Sequence, residues 1–503
     1  MRKLIYSLFT LLIMLTQVAC APDGEKNSIL KESNAPFGAP EFGNFRTEDY
    51  KDAFDRGFAE KRADIKAIVE NEEAPTYSNT IEALEMSGKT LEKVSSIFFT
   101  LNESDNTEAM TEIENYVVPK MTELNGYVFM NDTLFNRIRA LYDSKETLGL
   151  DEEQSIVLEN YYKSFVRGGA LLSKDDKAML LDIDTKLGLA SIKFSSNLLA
   201  DNKAFKLVIT DRKELAGLPQ DVIDAAAAED GKSWVFTLDK PSCIPFLQYA
   251  DNRELRKQLY MAYNTQCIKD NENNNTEIVK KLVNLRLERA QLLGFQTAAD
   301  YVLTKRMAEN SLNVYQLLNQ LLEAYTPTAH KEVAEVVALA KELEDEDFEL
   351  MPWDWAYYSE KLKEKRFNLN EEELRPYFEL GKVIEGVFGL ATRLYGITFQ
   401  ENPDIPVYHP DVKAYEVHDK DGSFLAVLYT DFHPRASKRS GAWMTSYKEQ
   451  WKDEKGNSRP HVSVTMNFTK PSEDKWKGLP DILEEKRLIP YKPLSKTYQK
   501  TQA

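Results

Sequence analysis

Histidine is scarce in this chain, with five in 503 residues. His330, His409, His418, His433 and His461 each stand nine or more residues from the next. None has the spacing at which two imidazoles on one helical face share a metal ion. Cysteine is scarcer still, at Cys20, Cys243 and Cys267. The last two cannot staple a chain of this length, so the fold must rest on an apolar core. Whether they pair or remain two buried thiols stays open at this stage. Basic residues are also in deficit, 64 against 81 acidic ones, for a net charge of −17. That balance excludes nucleic acid as the main partner, because phosphate binding needs a cationic footprint. No phosphate-cradling Gly-rich loop, Gly-x-Ser-x-Gly elbow or short internal repeat occurs.

What is present is core material. The chain is 42% hydrophobic and 29% charged, ample for a packed body. The first residues read as an address. Arg2 and Lys3 precede the apolar run Leu4–Leu15, which ends in Gln17-Val18-Ala19-Cys20. The run is too short to span a bilayer and has the form of a secretory signal. Cys20 after Ala19 resembles a bacterial lipoprotein signal, with residues 1–19 removed and Cys20 lipidated. Gln17 departs from the usual aliphatic residue there, so cleavage without lipid remains the rival reading. Residues 20–45, Gly- and Pro-rich from Ala21 to Pro40, read as a flexible tether.

From about Tyr50 the pattern is helical. Asn79 and Glu82 look like a capping pair. Ile81, Leu84, Gly88, Leu91, Val94, Phe98 and Leu101 then describe one face of a long helix. Two short strands interrupt the helices, one carrying Phe205, Leu207 and Ile209, the other Trp234, Phe236 and Leu238. Helical periodicity resumes after Pro241 and runs to about Tyr395. Beyond it, Ala414–Val417 and Phe424–Tyr429 flank Asp421-Gly422, a hairpin signal. Val462, Val464, Met466 and Phe468 alternate with His461, Ser463, Thr465 and Asn467, which describes a strand with one buried face. The expected fold is mainly α, one large body with a small β-sheet near its C-terminal end.

Several ordered motifs carry a resemblance. They are Val407–Val412, Asp421-Gly422-Ser423, Tyr429–Arg435 and Lys438–Met444, with Pro352-Trp353-Asp354-Trp355 and Tyr357-Tyr358 upstream. This set is similar to the region before the zinc site in M3 peptidases, the thimet oligopeptidase group. Pro36–Phe54 and Pro75–Gly88 resemble the N-terminal helices of its bacterial peptidyl-dipeptidase branch. The resemblance extends to Asp474, giving a body over residues 46–474. It implies a two-lobed helical, zincin-like fold with a channel for short peptides, and a zinc enzyme that removes C-terminal dipeptides. It also implies that an edge strand at Gly441, Ala442 and Trp443 holds the substrate backbone. Small residues there would let that backbone approach. The bland alternative is that Trp443 and Met444 are sheet core.

The family chemistry needs His-Glu-x-x-His and a further Glu. The sequence contains neither that motif nor its inverted form, and residues 475–503 match nothing in the family pattern. The resemblance therefore implies an incomplete catalytic lobe, no zinc ligands and no catalytic residues, as in a chain truncated before its metal site. A second expectation is a non-catalytic peptide-binding or scaffold lipoprotein of the cell envelope, joined to a membrane only by its anchor. Asp345-Glu346-Asp347 and Glu371-Glu372-Glu373 read as solvated carboxylate runs.

Overall fold

A computed structural model describes residues 26–368, 374–453, 456–468 and 470. Residues 1–19, Cys20, the Glu371–Glu373 run and the tail from 475 lie outside those described.

The first half is helical. Helices α1 (Asp49–Val69), α2 (Ala83–Glu85), α3 (Lys89–Ser104), α4 (Glu108–Phe129), α5 (Asp132–Asp143) and α6 (Glu152–Arg167) bury one continuous core. Phe54 meets Phe98 edge-to-face at 5.4 Å in its centre, the geometry that aromatic quadrupoles favour. The 31-residue helix α7 (Lys174–Ala204) packs on α4 on one side. On its other side lies α11 (Thr276–Leu292).

Between α7 and α11, the antiparallel strands β1 (Leu207–Ile209) and β2 (Trp234–Phe236) form a second core. They share it with α8 (Gln220–Ala226), α9 (Lys240–Tyr249) and α10 (Arg253–Asn264). Cys243 and Cys267 are buried and free, and burial pushes the Cys243 thiol up to about 12. The helices then continue as α12 (Ala298–Leu303), α13 (Ser311–Leu343), α14 (Trp355–Phe367) and α15 (Leu380–Tyr395). No helix among the described residues is long and apolar enough to cross a membrane.

The C-terminal sheet has five strands in the order β3 (Thr398–Glu401), β4 (Val412–His418), β5 (Phe424–Asp431), β9 (His461–Thr465), β6 (Trp443–Lys448). The Asp421-Gly422 hairpin joins β4 to β5, with Gly422 at φ 81°. β9 runs parallel to β5 and antiparallel to β6. A two-stranded flap, β7 (Trp451–Asp453) with β8 (Gly456–Ser458), links β6 to β9. The mainly helical reading with a small late sheet holds.

Four local expectations change. The helix across Ile81–Leu101 is broken, because Gly88 adopts φ 73° and separates α2 from α3. The N-cap is Thr76, which accepts from the Asn79 backbone N–H while Asn79 accepts from Thr76 N. Asn79 thus fills the third position of the capping box, and Glu82 is not its partner. The described part of the tether, residues 26–45, is packed. Ile29 joins the helical core, and Ala39 and Phe42 join the core under the sheet. Phe42 is surrounded by Tyr408, Tyr429 and Tyr447, with ring centroids 5.1–6.0 Å away. Lastly, the deeply buried face of β9 is the polar one. His461, Ser463 and Thr465 are 1% exposed or less, while Val462 and Val464 are half-buried. The polar face shares the register of Val427, Tyr429 and Asp431 on β5, the side on which Phe42 packs.

Candidate peptide-binding edge

The Asp431 carboxylate, at the end of β5, is wholly out of solvent. It accepts from Tyr408 Oη at 2.6 Å, from Arg435 Nη2 at 2.7 Å and from Lys438 Nζ at 2.9 Å. Lys438 Nζ also donates to the carbonyls of Asp431 and His433 at 2.9 Å each, and to that of Met466. Burial alone would raise the Asp431 pKa. The donors outweigh it and hold the carboxyl below the usual range. This network fixes the loop that joins β5 to β6.

The C-terminal end of α3 fixes the same loop from the other side. Ser437 Oγ donates to Asp105 Oδ1 at 2.6 Å, and Asn106 N donates to the Ser437 carbonyl at 2.8 Å. Arg439 N donates to the Glu103 carbonyl at 3.0 Å. Asn467 Nδ2 then clips the carbonyls of Arg439 and Gly441, at 3.0 and 2.8 Å. The loop therefore delivers residues 441–443 in one fixed place.

That place is the sheet margin. β6 is the outermost strand, bonded to β9 on one side and to no strand among the described residues on the other. Such a margin offers unpaired N–H and C=O groups to an extended chain. Gly441 has φ 116°, which a side chain would strain, and no other described residue lies within 4 Å of where its Cβ would stand. Glycine is thus required there by backbone conformation, and the space before it is open among the described residues. Ala442 is exposed and Trp443 half-buried. Trp443 Nε1 is buried without a partner among the described residues, whereas Met444 is 64% exposed, so the two alternate across the sheet.

A second buried carboxylate organises the Pro352–Asp354 landmark. Asp354 Oδ2 accepts from Arg253 Nη2 at 2.6 Å, and Asp354 Oδ1 from the buried Arg256 Nη2 at 3.0 Å. Tyr357 Oη donates to Asp251 Oδ1, and Tyr358 Oη to Glu344 Oε1, both at 2.8 Å. These contacts join α14 to α10 and to the end of α13.

The resemblance implies zinc, held by His and Glu side chains. Among the described residues no group of three His, Cys, Asp or Glu could hold a metal ion. His418 Nε2 lies 2.9 Å from Glu416 Oε2, and His433 Nδ1 lies 3.3 Å from the Phe468 carbonyl. His409 Nδ1 accepts from Asp411 N, His330 is exposed on α13, and His461 is buried. Sequence reasoning named Gly441, Ala442 and Trp443 but missed Tyr408, Asp431, Arg435 and Lys438, which position them. Their signal was the motif itself, read as a resemblance without a structural role.

The sequence matches known proteins over most of its length. Residues 246–483 match peptidase family M3, running past Asp474, where the sequence pattern alone placed the limit. The dipeptidyl carboxypeptidase of Escherichia coli is 36% identical over 453 residues, covering 89% of this chain and 66% of that protein. Oligopeptidase A of the same organism is 32% identical over 445 residues, covering 87% of this chain and 65% of that protein. A solved structure described as PZ peptidase A with inhibitor 2 aligns with 83% of this chain and 60% of its own, at TM-score 0.43 and 16% identity. The chain thus spans about two thirds of the length of the curated relatives it matches. By these matches it belongs to peptidase family M3.

Proposed function

We propose that this chain is the peptide-holding part of a peptidyl-dipeptidase, without hydrolytic activity of its own. The observation that carries the reading is the fixed margin of β6, unpaired among the described residues and with an open approach among them at Gly441 and Ala442. Likeness to dipeptidyl carboxypeptidase supports short peptides as the ligand class. In that reaction zinc would supply an activated water, and the His-Glu-x-x-His motif that would hold it is not in this sequence. This chain's contribution is binding. The edge groups of β6 pair with an extended peptide, and the Asp431–Lys438 network keeps them in register.

The test is fluorescence anisotropy with a labelled N-blocked tetrapeptide and the full chain in excess chelator. Saturable binding is expected, weakened at least about tenfold when the central peptide nitrogens are methylated, since main-chain pairing supplies the affinity. Equal binding of the methylated peptide would refute pairing at the edge.

Export follows from the N-terminal signal, with Cys20 as the lipid attachment point on the bacterial envelope. Metabolic labelling with a tritiated fatty acid should mark the wild-type chain and not Cys20→Ser. Label retained in the variant would refute anchoring at that residue.

A further inference from the structure

A cavity of about 740 Å³ lies where residues 26–45, α3 and the end of β6 meet, away from Gly441–Trp443. Its floor is built by an irregularity in the sheet. Ser446 pairs with Val462 and Lys448 with His461, so Tyr447 is an extra residue on β6. Bulges of this kind re-aim side chains. Here the bulge places Lys448 opposite His461, with both lining the cavity.

Both groups are short of partners. His461 is 1% exposed; the Phe37 backbone carbonyl lies toward one ring nitrogen, and neither nitrogen makes a well-aligned hydrogen bond among the described residues. Burial first, then the Lys448 charge, lowers its pKa to about 4, so the ring is neutral and carries one N–H. Lys448 is half-buried, and burial lowers its pKa, with no carboxylate among the described residues offsetting it. Other lysines partly or wholly withdrawn from water elsewhere in the fold are served. Lys61 Nζ donates to the Ser87 carbonyl at 3.0 Å, Lys93 Nζ to the Lys31 carbonyl at 3.2 Å, and Lys438 to Asp431. Lys448 has no such acceptor among the described residues. A desolvated cation without a counter-charge is costly and marks a place where an anion would be stabilised.

The walls limit what that anion is. Five lysines and four glutamates line the cavity, an excess of one positive charge. Glu41 is engaged by Asn34 N and Asn44 Nδ2, at 2.8 and 2.6 Å, and Glu32 faces Lys93. Ile97, Phe45 and Trp451 supply apolar surface. The volume lies in the range of small-molecule sites.

We propose that this cavity binds a small organic monocarboxylate, with its carboxylate on Lys448 Nζ and the His461 N–H and its apolar body against Ile97, Phe45 and Trp451. The site is separate from the peptide edge and does not depend on it.

Isothermal titration of the full chain with benzoate, inorganic phosphate and benzylamine tests this. Benzoate is expected to bind saturably at millimolar concentration or below, and benzylamine not to bind. Lys448→Met should weaken benzoate at least about tenfold, as loss of a charge-assisted contact implies. It should melt no lower than wild type, because it removes a half-buried charge that has no counter-charge among the described residues. His461→Gln, which keeps a donor, should bind more tightly than Lys448→Met and serves as the test variant should the latter not fold. Absence of saturable benzoate binding would overturn the proposal, as would benzoate affinity unchanged by Lys448→Met. Preference for phosphate or benzylamine would overturn the assignment of the ligand class.

Discussion

Lys438 Nζ lies 2.9 Å from Asp431 Oδ1, and both side chains are fully removed from solvent. The pair sits where β5 gives way to the loop that presents Gly441, so its geometry sets the position of the edge strand. Asp431→Ala would strand two buried cations, Lys438 and Arg435, and should destabilise the chain by about 3–5 kcal/mol. Lys438→Met leaves Asp431 its bonds from Tyr408 and Arg435 and should cost less. Denaturant unfolding of both single variants and the double variant measures the coupling. The double variant should fall short of the summed losses.

The same carboxylates predict a response to acid. In the folded chain, donors hold Asp431 and Asp354 low against the opposing effect of burial. A folded pKa below the unfolded value stabilises above the unfolded value, about 4, and that stability is lost as pH falls through the folded value. Melting temperature should therefore drop steeply below about pH 4. Asp354→Asn should be less stable at neutral pH and lose less stability on acidification. An identical acid limb in variant and wild type would contradict this.

Asp354 and Arg256 form a comparable buried pair between α14 and α10, 3.0 Å apart. Arg256 Nη1 additionally donates to the Ala250 and Asp251 carbonyls, at 2.8 and 3.1 Å. Arg256→Met should lower stability by about 3–5 kcal/mol, because it leaves a buried carboxylate short of a donor. Hydrogen exchange should quicken in α9, α10 and α14, with little change in α1–α6.

Gly88→Ala tests the break between α2 and α3. Its φ of 73° and a Cβ position 2.5 Å from Lys61 Cδ both oppose a side chain. The Lys61 side chain can yield, so the backbone conformation decides the cost, about 1–2 kcal/mol in equilibrium unfolding.

Apolar side chains on α13 stand in solvent, with Leu318 51% and Leu322 67% exposed. On α15, Val387 and Leu394 are 58% and 64% exposed. Patches of this kind drive association. The chain should self-associate at micromolar concentration, and Leu318→Glu with Leu322→Glu should shift sedimentation toward the monomer. A wild-type chain that remains monomeric would contradict the prediction.

Much of the architecture was legible, for identifiable reasons. Asp421-Gly422 between alternating strands could only be a hairpin, and both short strands near 207 and 235 stood out by alternation. The break at Gly88 was hidden because Leu84, Leu91 and Val94 keep helical spacing across it. Gly and Pro content concealed Ile29, Ala39 and Phe42, whose burial decides the course of residues 26–45. Alternation in β9 was visible, but which face is covered depends on the distant Phe42 and on the register with β5. The lysines and arginines after Asp431 carry no sign in sequence that they turn inward. Gly441 was identified, though for closeness of approach when its backbone angle is what requires it.

The central claim, that this chain holds peptides without cleaving them, is tested most directly by mass spectrometry of an N-blocked pentapeptide. It would be incubated with the purified full chain and added zinc, with and without a chelator. No C-terminal dipeptide should appear above the enzyme-free rate in either condition. Chelator-sensitive release of that dipeptide would contradict the account.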